Sequence, residues 1–328
     1  MFKLFVLICV LVGAIALSAA EPPKAGISSS SIKASFDLPD PENGYYRATR
    51  FDWSGVISSL QYAGHEYFGV WFPKYDPKIH DAITGPVEEF RTNDAGLGYD
   101  AAKPGGTFIR IGAGVVRKPD ERGYRIFNTY DIVDHGKWKV RKGRDRIEFT
   151  HTLADDAGHA YVYRKTVRLE KNSPVMVIEH SLKNTGRLPI ESTQYNHNFF
   201  MIDKLPIGPD VSIKFPFDLK AKADLRGLAE VRGGELVFLQ ELQNRQSAFT
   251  ELEGFGNTAK DYDIRIENRK AGAGVRITSD QPLAKLVFWS IRTTACPEPY
   301  VNLRVEPGRE TKWNISYEFY TLPGAAGK

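Results

Sequence analysis

The feature that most constrains the fold is a series of short segments in which apolar and polar residues alternate, separated by Gly, Asn, Asp and Pro. In residues 161–169 the odd-numbered side chains share one face of a strand, which is typical of a half-exposed antiparallel strand. Residues 174–182 are apolar on both faces and predict a central strand, and residues 137–153 predict a hairpin turning at Lys142 and Gly143. No segment carries an apolar helical stripe over three turns. The pattern predicts an all-β sandwich or barrel.

The first 20 residues are typical of a secretory signal peptide. Lys3 precedes an apolar run at residues 4–17, and three small residues follow it. The run is shorter than the ~20 residues that a membrane span needs, and the small residues fit a cleavage site. We therefore expect cleavage near Ala20 and export to the periplasm or the extracellular space.

Cleavage would leave Cys296 as the only cysteine, so we expect no internal disulfide. Residues 21–42 are rich in Pro, Ser and Lys and predict a flexible leader. The remaining residues, 43–328, show no repeat and no linker. They are long enough to bury a large core, and we expect them to form one β-sandwich domain.

Composition gives little reason to expect a highly charged partner. The formal net charge is +4 over 328 residues, so we expect neither nucleic acid nor a membrane as partner. His65 and His80 lack the spacing of metal ligands such as H-E-x-x-H, and no G-x-S-x-G elbow is present. We expect no metal and no organic cofactor. The sequence leaves the oligomeric state open.

The segment 190–203, IESTQYNHNFFMID, carries the first candidate catalytic residue, His197. In a strand, Gln194, Asn196 and Asn198 would share one face, and His197 would lie on the other between two aromatic residues. Partial desolvation there lets a histidine titrate near neutral pH. A core histidine whose ring nitrogens are satisfied by neighbours is the alternative interpretation.

The segment 294–307, TACPEPYVNLRVEP, carries the second candidate, Glu298. Pro297 and Pro299 flank it, and each proline fixes its own φ and restricts the residue before it. We expect a stiffly held carboxylate at the end of the preceding apolar strand. The alternative is a solvated glutamate in a rigid turn.

Together, NHNFF, CPEPY and the later PGRETKW resemble motifs of the galactose mutarotase (aldose 1-epimerase) superfamily. The resemblance implies a large antiparallel twisted β-sandwich that binds a monosaccharide or a glycan. It also implies that His197 is a general acid and Glu298 a general base. Glu298 would take the proton from the anomeric O1 hydroxyl, and protonated His197 would donate to the ring oxygen O5.

Two partial matches suggest substrate-binding residues. Arg110-Ile111 resembles the N-R-I motif, whose arginine binds sugar hydroxyls in that superfamily, although Ile109 replaces the asparagine. The segment DHGKW resembles an H-G-G motif and makes His135 a second sugar contact, although the second glycine is missing. The alternatives are an exposed strand arginine and a hairpin-turn histidine.

Three functions are compatible with these residues. The first is an aldose 1-epimerase-like enzyme that interconverts sugar anomers by acid–base ring opening. The second is a non-catalytic carbohydrate-binding protein on the same fold, because a fold does not fix a function. The third is a glycan-processing lyase, against which the missing helical domain counts. The sequence does not identify the sugar.

Overall fold

The computed structural model describes residues 21–323, and almost all of its regular structure is β. Two short 3-10 helices occupy Ile202–Lys204 and Ala259–Asp261. The strands, in chain order, are β1 (Lys24–Ser28), β2 (Ile32–Asp37), β3 (Val56–Tyr62), β4 (His65–Glu66), β5 (Gly85–Arg91), β6 (Thr107–Arg110), β7 (Gly114–Arg117), β8 (Ile132–Asp134), β9 (Lys137–Lys142), β10 (Arg146–Ala154), β11 (Ala160–Leu169), β12 (Val175–Asn184), β13 (Ile190–Phe199), β14 (Val211–Lys214), β15 (Lys220–Ala221), β16 (Ala229–Arg232), β17 (Glu235–Phe238), β18 (Ser247–Glu253), β19 (Asp263–Asn268), β20 (Ala273–Ser279), β21 (Lys285–Ile291), β22 (Thr294–Val305) and β23 (Glu310–Thr321).

Two antiparallel sheets form the body of the fold. The larger has ten strands in the order β16-β17-β14-β19-β20-β23-β12-β11-β10-β9, and the other has six in the order β15-β18-β21-β22-β13-β5. Side chains of β13 reach β23 across the interface: Trp313 Nε1 donates to Gln194 Oε1 at 3.1 Å, and the Tyr317 hydroxyl donates to Asn198 Oδ1 at 2.9 Å. The predicted antiparallel β-sandwich is confirmed, with smaller sheets β1-β2-β3-β4 and β6-β7-β8 beside it.

The large sheet has the patterns that the sequence predicts. In β11 every odd-numbered side chain from Tyr161 to Leu169 is buried, and its even-numbered neighbours are more exposed. The predicted central strand is β12, which lies between β11 and β23. The predicted hairpin is formed by β9 and β10, which pair on either side of residues 143–145. Period-two alternation was therefore a reliable guide wherever one strand face meets the core.

The prediction of a flexible leader at residues 21–42 is wrong for most of that segment. It contains β1 and β2, which pair with each other, and β2 continues onto β3. Ile27, Ile32 and Phe36 are buried, and the ring of Phe36 packs 6.3 Å from that of Phe149 in β10. The Pro, Ser and Lys content hid a short alternating pattern whose apolar side chains cover one edge of the core.

Three further expectations concern the cysteine, membrane-spanning segments and the signal peptide. Within residues 21–323, Cys296 is buried and makes no disulfide. No helix in this range is long and apolar enough to cross a membrane. The predicted signal peptide lies outside the described residues.

The six-stranded sheet has two functionally different faces. In β13 the even-numbered residues Gln194, Asn196 and Asn198 face the ten-stranded sheet, as their predicted common face requires. The odd-numbered residues Tyr195 and His197 face outward, beneath loops that precede β5 and β8. The outward face carries the candidate site.

Candidate active site

The pairing register places the two predicted catalytic residues opposite each other. β13 pairs with β22 from Ile190–Val305 through Tyr195–Tyr300, and an isolated bridge joins Phe200 to Ala295 in the same register. Extending this register through the gap sets His197 against Glu298. Directly opposed residues in an antiparallel pair have Cβ atoms about 4.5–5.5 Å apart. Two motifs separated by about a hundred residues therefore meet because of strand register.

Glu298 lies inside strand β22, which corrects the expectation of a strand end. The ladder between β13 and β22 is interrupted at this point because Pro297 and Pro299 have no N–H to donate. The Asn198 side-chain amide donates to the Pro297 carbonyl at 2.8 Å and bridges part of the gap. The prolines thus stiffen the strand on both sides of the carboxyl group and interrupt its ladder with β13, while the pairing with β21 continues through Val287 and Glu298.

The two side chains are in direct contact. His197 Nε2 lies 3.3 Å from Glu298 Oε1, and the two residues are 4% and 5% exposed. The imidazole stacks on Phe199 with ring centroids 3.9 Å apart, which fixes its plane. Its Nδ1 atom is buried and has no hydrogen-bond partner among the described residues. The pair is therefore oriented by packing and retains an unused polar atom, unlike a fully satisfied core histidine.

The pair forms part of the wall of an outward-facing cavity of about 490 Å³. Pockets of about 300–1,000 Å³ hold small organic ligands. The cavity is lined by aromatic, charged and polar side chains. Such a mixed lining suits a ligand with apolar C–H faces and a rim of hydroxyls. The lining residues are Arg50, Asp81, Arg91, Ile126, Phe127, Tyr195, His197, Ser247, Phe249, Lys285, Val287, Trp289, Glu298 and Tyr300.

Arg50 is the central cation of this wall. Its Nε donates to Glu89 Oε2 at 3.1 Å, its Nη2 donates to the Tyr195 hydroxyl at 3.2 Å, and its Nη1 pairs with Asp81. The Tyr195 hydroxyl in turn donates to Glu89 Oε2 at 2.5 Å. Burial alone would raise the pKa of Glu89, but Arg50 and Arg110 hold it below its ordinary value. Glu89 is thus an anion that positions Arg50 beside the acid–base pair.

Burial shifts the pKa values of His197 and Glu298 in opposite directions. Desolvation raises the pKa of Glu298 to about 8, although Arg50 partly offsets this effect. Desolvation lowers the pKa of His197 well below 6.5, and the nearby positive charge of Arg50 lowers it further. Both shifts favour the neutral form of each residue.

These shifts leave one proton on the pair at neutral pH, and it resides on the Glu298 carboxyl group. The predicted distribution, with His197 protonated and Glu298 ionised, is therefore reversed in the ligand-free site. The two distributions differ only by transfer of a proton across the 3.3 Å contact. Because the two groups lie only 3.3 Å apart, we expect the pair to titrate as a unit with two macroscopic pKa values. Between those values the site holds one acid and one base.

The structure does not bring Arg110 into the cavity. Its guanidinium is buried and donates to Glu89 Oε1 at 2.9 Å and to the carbonyls of Thr49, Arg50 and Ala95. The predicted role in binding hydroxyls is wrong for this structure, since its donors are committed to protein acceptors. Arg110 instead holds Glu89 and the backbone at Arg50.

His135 also lies outside the cavity. Its ring packs on Trp53 with centroids 5.4 Å apart, and its carbonyl oxygen lies 2.9 Å from His151 Nε2. Desolvation lowers the pKa of its imidazole. The alternative of a turn residue fits better, because His135 precedes Gly136, which has a φ of +63° between β8 and β9.

Sequence reasoning missed Arg50, Asp81 and Glu89 as parts of the site. Arg50 stands in YYRATRFDW, a segment with aromatic, Arg and Asp residues that fit sugar binding but equally fit a structural cap. Glu89 lies next to Glu88 in β5. Two adjacent glutamates in a strand point to opposite faces, and burial of both would have indicated cation partners on each side.

Within residues 21–323 no group of three or more His, Cys, Asp or Glu is arranged to hold a metal ion.

Solved structures resemble this chain over almost their whole length. A galactose mutarotase-like protein from Lactobacillus casei matches with a TM-score of 0.57 at 13% identity, covering 91% of this chain and 100% of that one. A galactose mutarotase-like protein from Clostridium acetobutylicum matches with a TM-score of 0.56 at 14% identity, covering 92% and 96%. An aldose epimerase homologue from C. elegans matches with a TM-score of 0.56 at 13% identity, covering 92% and 99%.

A scan of protein-family models finds no match, and neither does a search of curated proteins. At these identities the structural matches establish architecture and leave activity to the site itself. The chain has the galactose mutarotase-like fold.

Proposed function

We propose that this protein is an aldose 1-epimerase-like enzyme that interconverts sugar anomers by acid–base ring opening. The observation that carries the proposal is the direct contact between His197 and Glu298 in the wall of a cavity of sugar-binding character. The fold shared with an aldose epimerase homologue supports it.

The chemistry requires an acid and a base close together. The O1 hydroxyl and the ring oxygen O5 of a cyclic sugar are bonded to the same carbon, so the groups that serve them must be neighbours. His197 Nε2 and Glu298 Oε1 lie 3.3 Å apart, and burial favours the neutral form of each, which places one titratable proton on the pair. A sugar whose C1 lies against the pair can exchange protons with both groups at once.

We assign the first transfer from the proton distribution of the ligand-free site, in which burial keeps the proton on Glu298. Glu298, which holds the proton, donates it to O5 while the C1–O5 bond breaks. His197 Nε2 accepts the O1 proton, and the electron pair released from that O–H bond forms the aldehyde. Rotation about C1–C2 and reclosure by the reverse transfers give the other anomer. These roles are opposite to those that the family resemblance implies, because burial favours a protonated Glu298.

Arg50 supports the proton transfer from Glu298 electrostatically. Its guanidinium lies among Glu89, Asp81 and Tyr195 at the cavity wall. A fixed positive charge there stabilises the carboxylate that forms when Glu298 gives up its proton. It also keeps the pKa of His197 low, so the imidazole is available as a base in the ligand-free site.

A carbohydrate-binding protein without catalysis is the second candidate. It is favoured by the placement of Arg110 and His135 outside the cavity, since neither of the expected hydroxyl-binding residues contributes to it. The cavity wall would still offer aromatic and polar contacts to a sugar.

Polarimetry of freshly dissolved single anomers, run over several free sugars, tests the proposal. We expect a protein-dependent rate of anomer interconversion that declines as the pH rises past about 8, because Glu298 then loses the shared proton. The matched control is Glu298→Gln, which retains shape and polarity. Binding of a sugar without any protein-dependent interconversion would replace the enzyme by the binding protein.

A further inference from the structure

A second cavity adjoins the candidate active-site cavity. It measures about 560 Å³, and its lining includes Lys78, Arg117, Asn128 and Tyr130. Phe127 lines both cavities and is the residue that they share. The acid–base mechanism uses only the first cavity, so the second has no role in the chemistry at C1.

Phe127 forms the ridge between the two cavities and is unusually exposed. Its side chain is 62% exposed, and Phe249 on the wall of the first cavity is 56% exposed. Isolated exposed apolar residues are common, but two phenylalanines at the opening of one polar cavity form an apolar platform. The C–H face of a sugar ring packs on such aromatic surfaces.

The ridge is held in place from both sides. The imidazole of His80, which lines the second cavity, packs 4.8 Å from the Phe127 ring. On the other side the Arg50 guanidinium lies 5.6 Å from the same ring centroid. Asp81 connects these two neighbours, since it pairs with Arg50 and lies 3.0 Å from His80 Nε2. The exposed ring is therefore supported by a chain of polar contacts that reaches the acid–base site.

The walls of the second cavity suit a neutral polyol better than an anion. Lys78 and Arg117 supply donors, but Asp131 also lines the cavity and lies 3.6 Å from Arg117 Nε. Asn128 and Thr129 add uncharged polar groups, and Tyr130 and Phe127 add aromatic surface. This mixture matches a second sugar ring, which presents hydroxyls at its rim and C–H groups on its face.

We propose that the second cavity binds the next sugar residue of a reducing oligosaccharide whose reducing-end ring occupies the site of His197 and Glu298. The inference rests on the proposed function and narrows its substrate class. Anomer interconversion requires a free O1, so any further sugar must be joined through another carbon of the reducing ring. The chain therefore extends away from the acid–base pair, across Phe127 and toward Arg117.

The test compares substrates that share one reducing ring. Glucose, maltose and cellobiose have the same C1 chemistry, and galactose is compared with β-1,4-galactobiose in the same way. We expect kcat/KM for a disaccharide to exceed that for its monosaccharide by at least ~10-fold, which corresponds to about 1.4 kcal/mol. Arg117 lines the second cavity and not the first, and apart from its contact with Asp131 its side chain donates to the exposed Gly105 carbonyl, so Arg117→Ala should remove most of this gain and leave the monosaccharide rate unchanged. Arg141→Ala, another exposed strand arginine, is the matched control.

Calorimetric titration separates failure of this inference from failure of the proposed function. Tighter binding of the disaccharide, weakened by Arg117→Ala, supports the second cavity even if no sugar is interconverted. Equal kcat/KM and equal affinity for disaccharide and monosaccharide, both insensitive to Arg117→Ala, would overturn the inference while leaving anomer interconversion intact. Melting temperatures of the variants verify that each is folded.

Discussion

Two buried histidine–glutamate pairs occupy opposite faces of the six-stranded sheet, and their surroundings differ. In the core, His180 Nε2 lies 2.8 Å from Glu88 Oε1, and Glu88 Oε2 pairs with Lys165 Nζ at 3.1 Å and accepts a hydrogen bond from the Tyr163 hydroxyl at 2.6 Å. His180 Nδ1 lies 3.0 Å from the Trp313 carbonyl. On the outward face, His197 and Glu298 meet at 3.3 Å, and His197 Nδ1 has no partner within residues 21–323.

The difference in partners gives the two glutamates different charge states: Glu88 is ionised and Glu298 is neutral at pH 7. Burial raises the pKa of both carboxyl groups, but Lys165 and His180 outweigh it at Glu88 and lower that pKa to about 2. At Glu298 the offset from Arg50 is insufficient, and the pKa is raised to about 8. A carboxylate whose partners are saturated stays ionised and serves stability, whereas an undersatisfied carboxyl group beside a cavity can exchange a proton at neutral pH.

The largest expected effect comes from making the same substitution in both pairs. Glu88→Gln removes one of the two carboxylates that pair with the buried Lys165, the other being Asp52, and breaking a buried ion pair costs about 3–5 kcal/mol. Glu298→Gln replaces a group that is neutral in the folded state and ionises on unfolding, so we expect this variant to be at least as stable as the wild type at pH 7. Chemical denaturation of both variants measures the contrast. Equal destabilisation by the two changes would remove the distinction between the pairs.

For the rate of anomer interconversion, in contrast to stability, we expect the large effect at the outward-facing pair of His197 and Glu298. Proton transfer by a positioned group is worth ~10²–10⁴-fold, so His197→Asn and Glu298→Gln should each slow anomer interconversion by at least ~10²-fold. The double variant should lose much less than the product, because the two groups act as a unit. Polarimetry on folded variants measures this. Near wild-type rates in both single variants would exclude the pair as acid and base.

The pH dependence of stability gives a more specific effect. A carboxyl group with a pKa near 4.5 when unfolded and about 8 when folded favours the folded state fully below pH 4.5. This contribution is lost as the pH rises toward 8, with a slope of about 1.4 kcal/mol per pH unit. Glu298→Gln abolishes that slope. Denaturation of wild type and variant at several pH values should therefore give curves that diverge above pH 4.5, and parallel curves would contradict the raised pKa.

The smallest effect is expected at His135. Since its ring packs on Trp53 outside the cavity, His135→Ala should leave kcat/KM for interconversion within about twofold of wild type. A large rise in KM with unchanged kcat would return His135 to the sugar-binding residues. The same polarimetric assay provides the measurement.

The alternation of apolar and polar residues predicted the strands and the faces to which their side chains point. Alternation predicted β11 and the two faces of β13, because strand geometry fixes which side chains share a face. His197 and Glu298 were found through motif resemblance. Their contact needed the register between β13 and β22, which a pattern in either strand alone does not contain.

The errors have a common physical origin. Arg110 follows a motif-like pattern, but its partners Glu89, Thr49 and Ala95 come from three other parts of the chain. The supposed leader was judged on composition, whereas β2 is stabilised by pairing with β3. Both outcomes were decided by long-range contacts, which override local preference.

The adjacent glutamates of β5 have a consequence for folding fidelity. A slip of one residue would exchange Glu88 and Glu89 between the two faces, yet each face already offers a cation to a carboxylate, Lys165 on the inner face and Arg50 on the outer. Electrostatics alone therefore discriminates poorly against the misaligned strand, and shape must do so. Gly85, with a φ of +83°, begins the strand where an added Cβ would lie 2.9 Å from the Ile57 carbonyl oxygen. A slip would place a side chain in that space, where it would clash with Ile57. Gly85 therefore disfavours the misaligned register of β5, the strand that carries Glu88 in the core and Glu89 beside the candidate site.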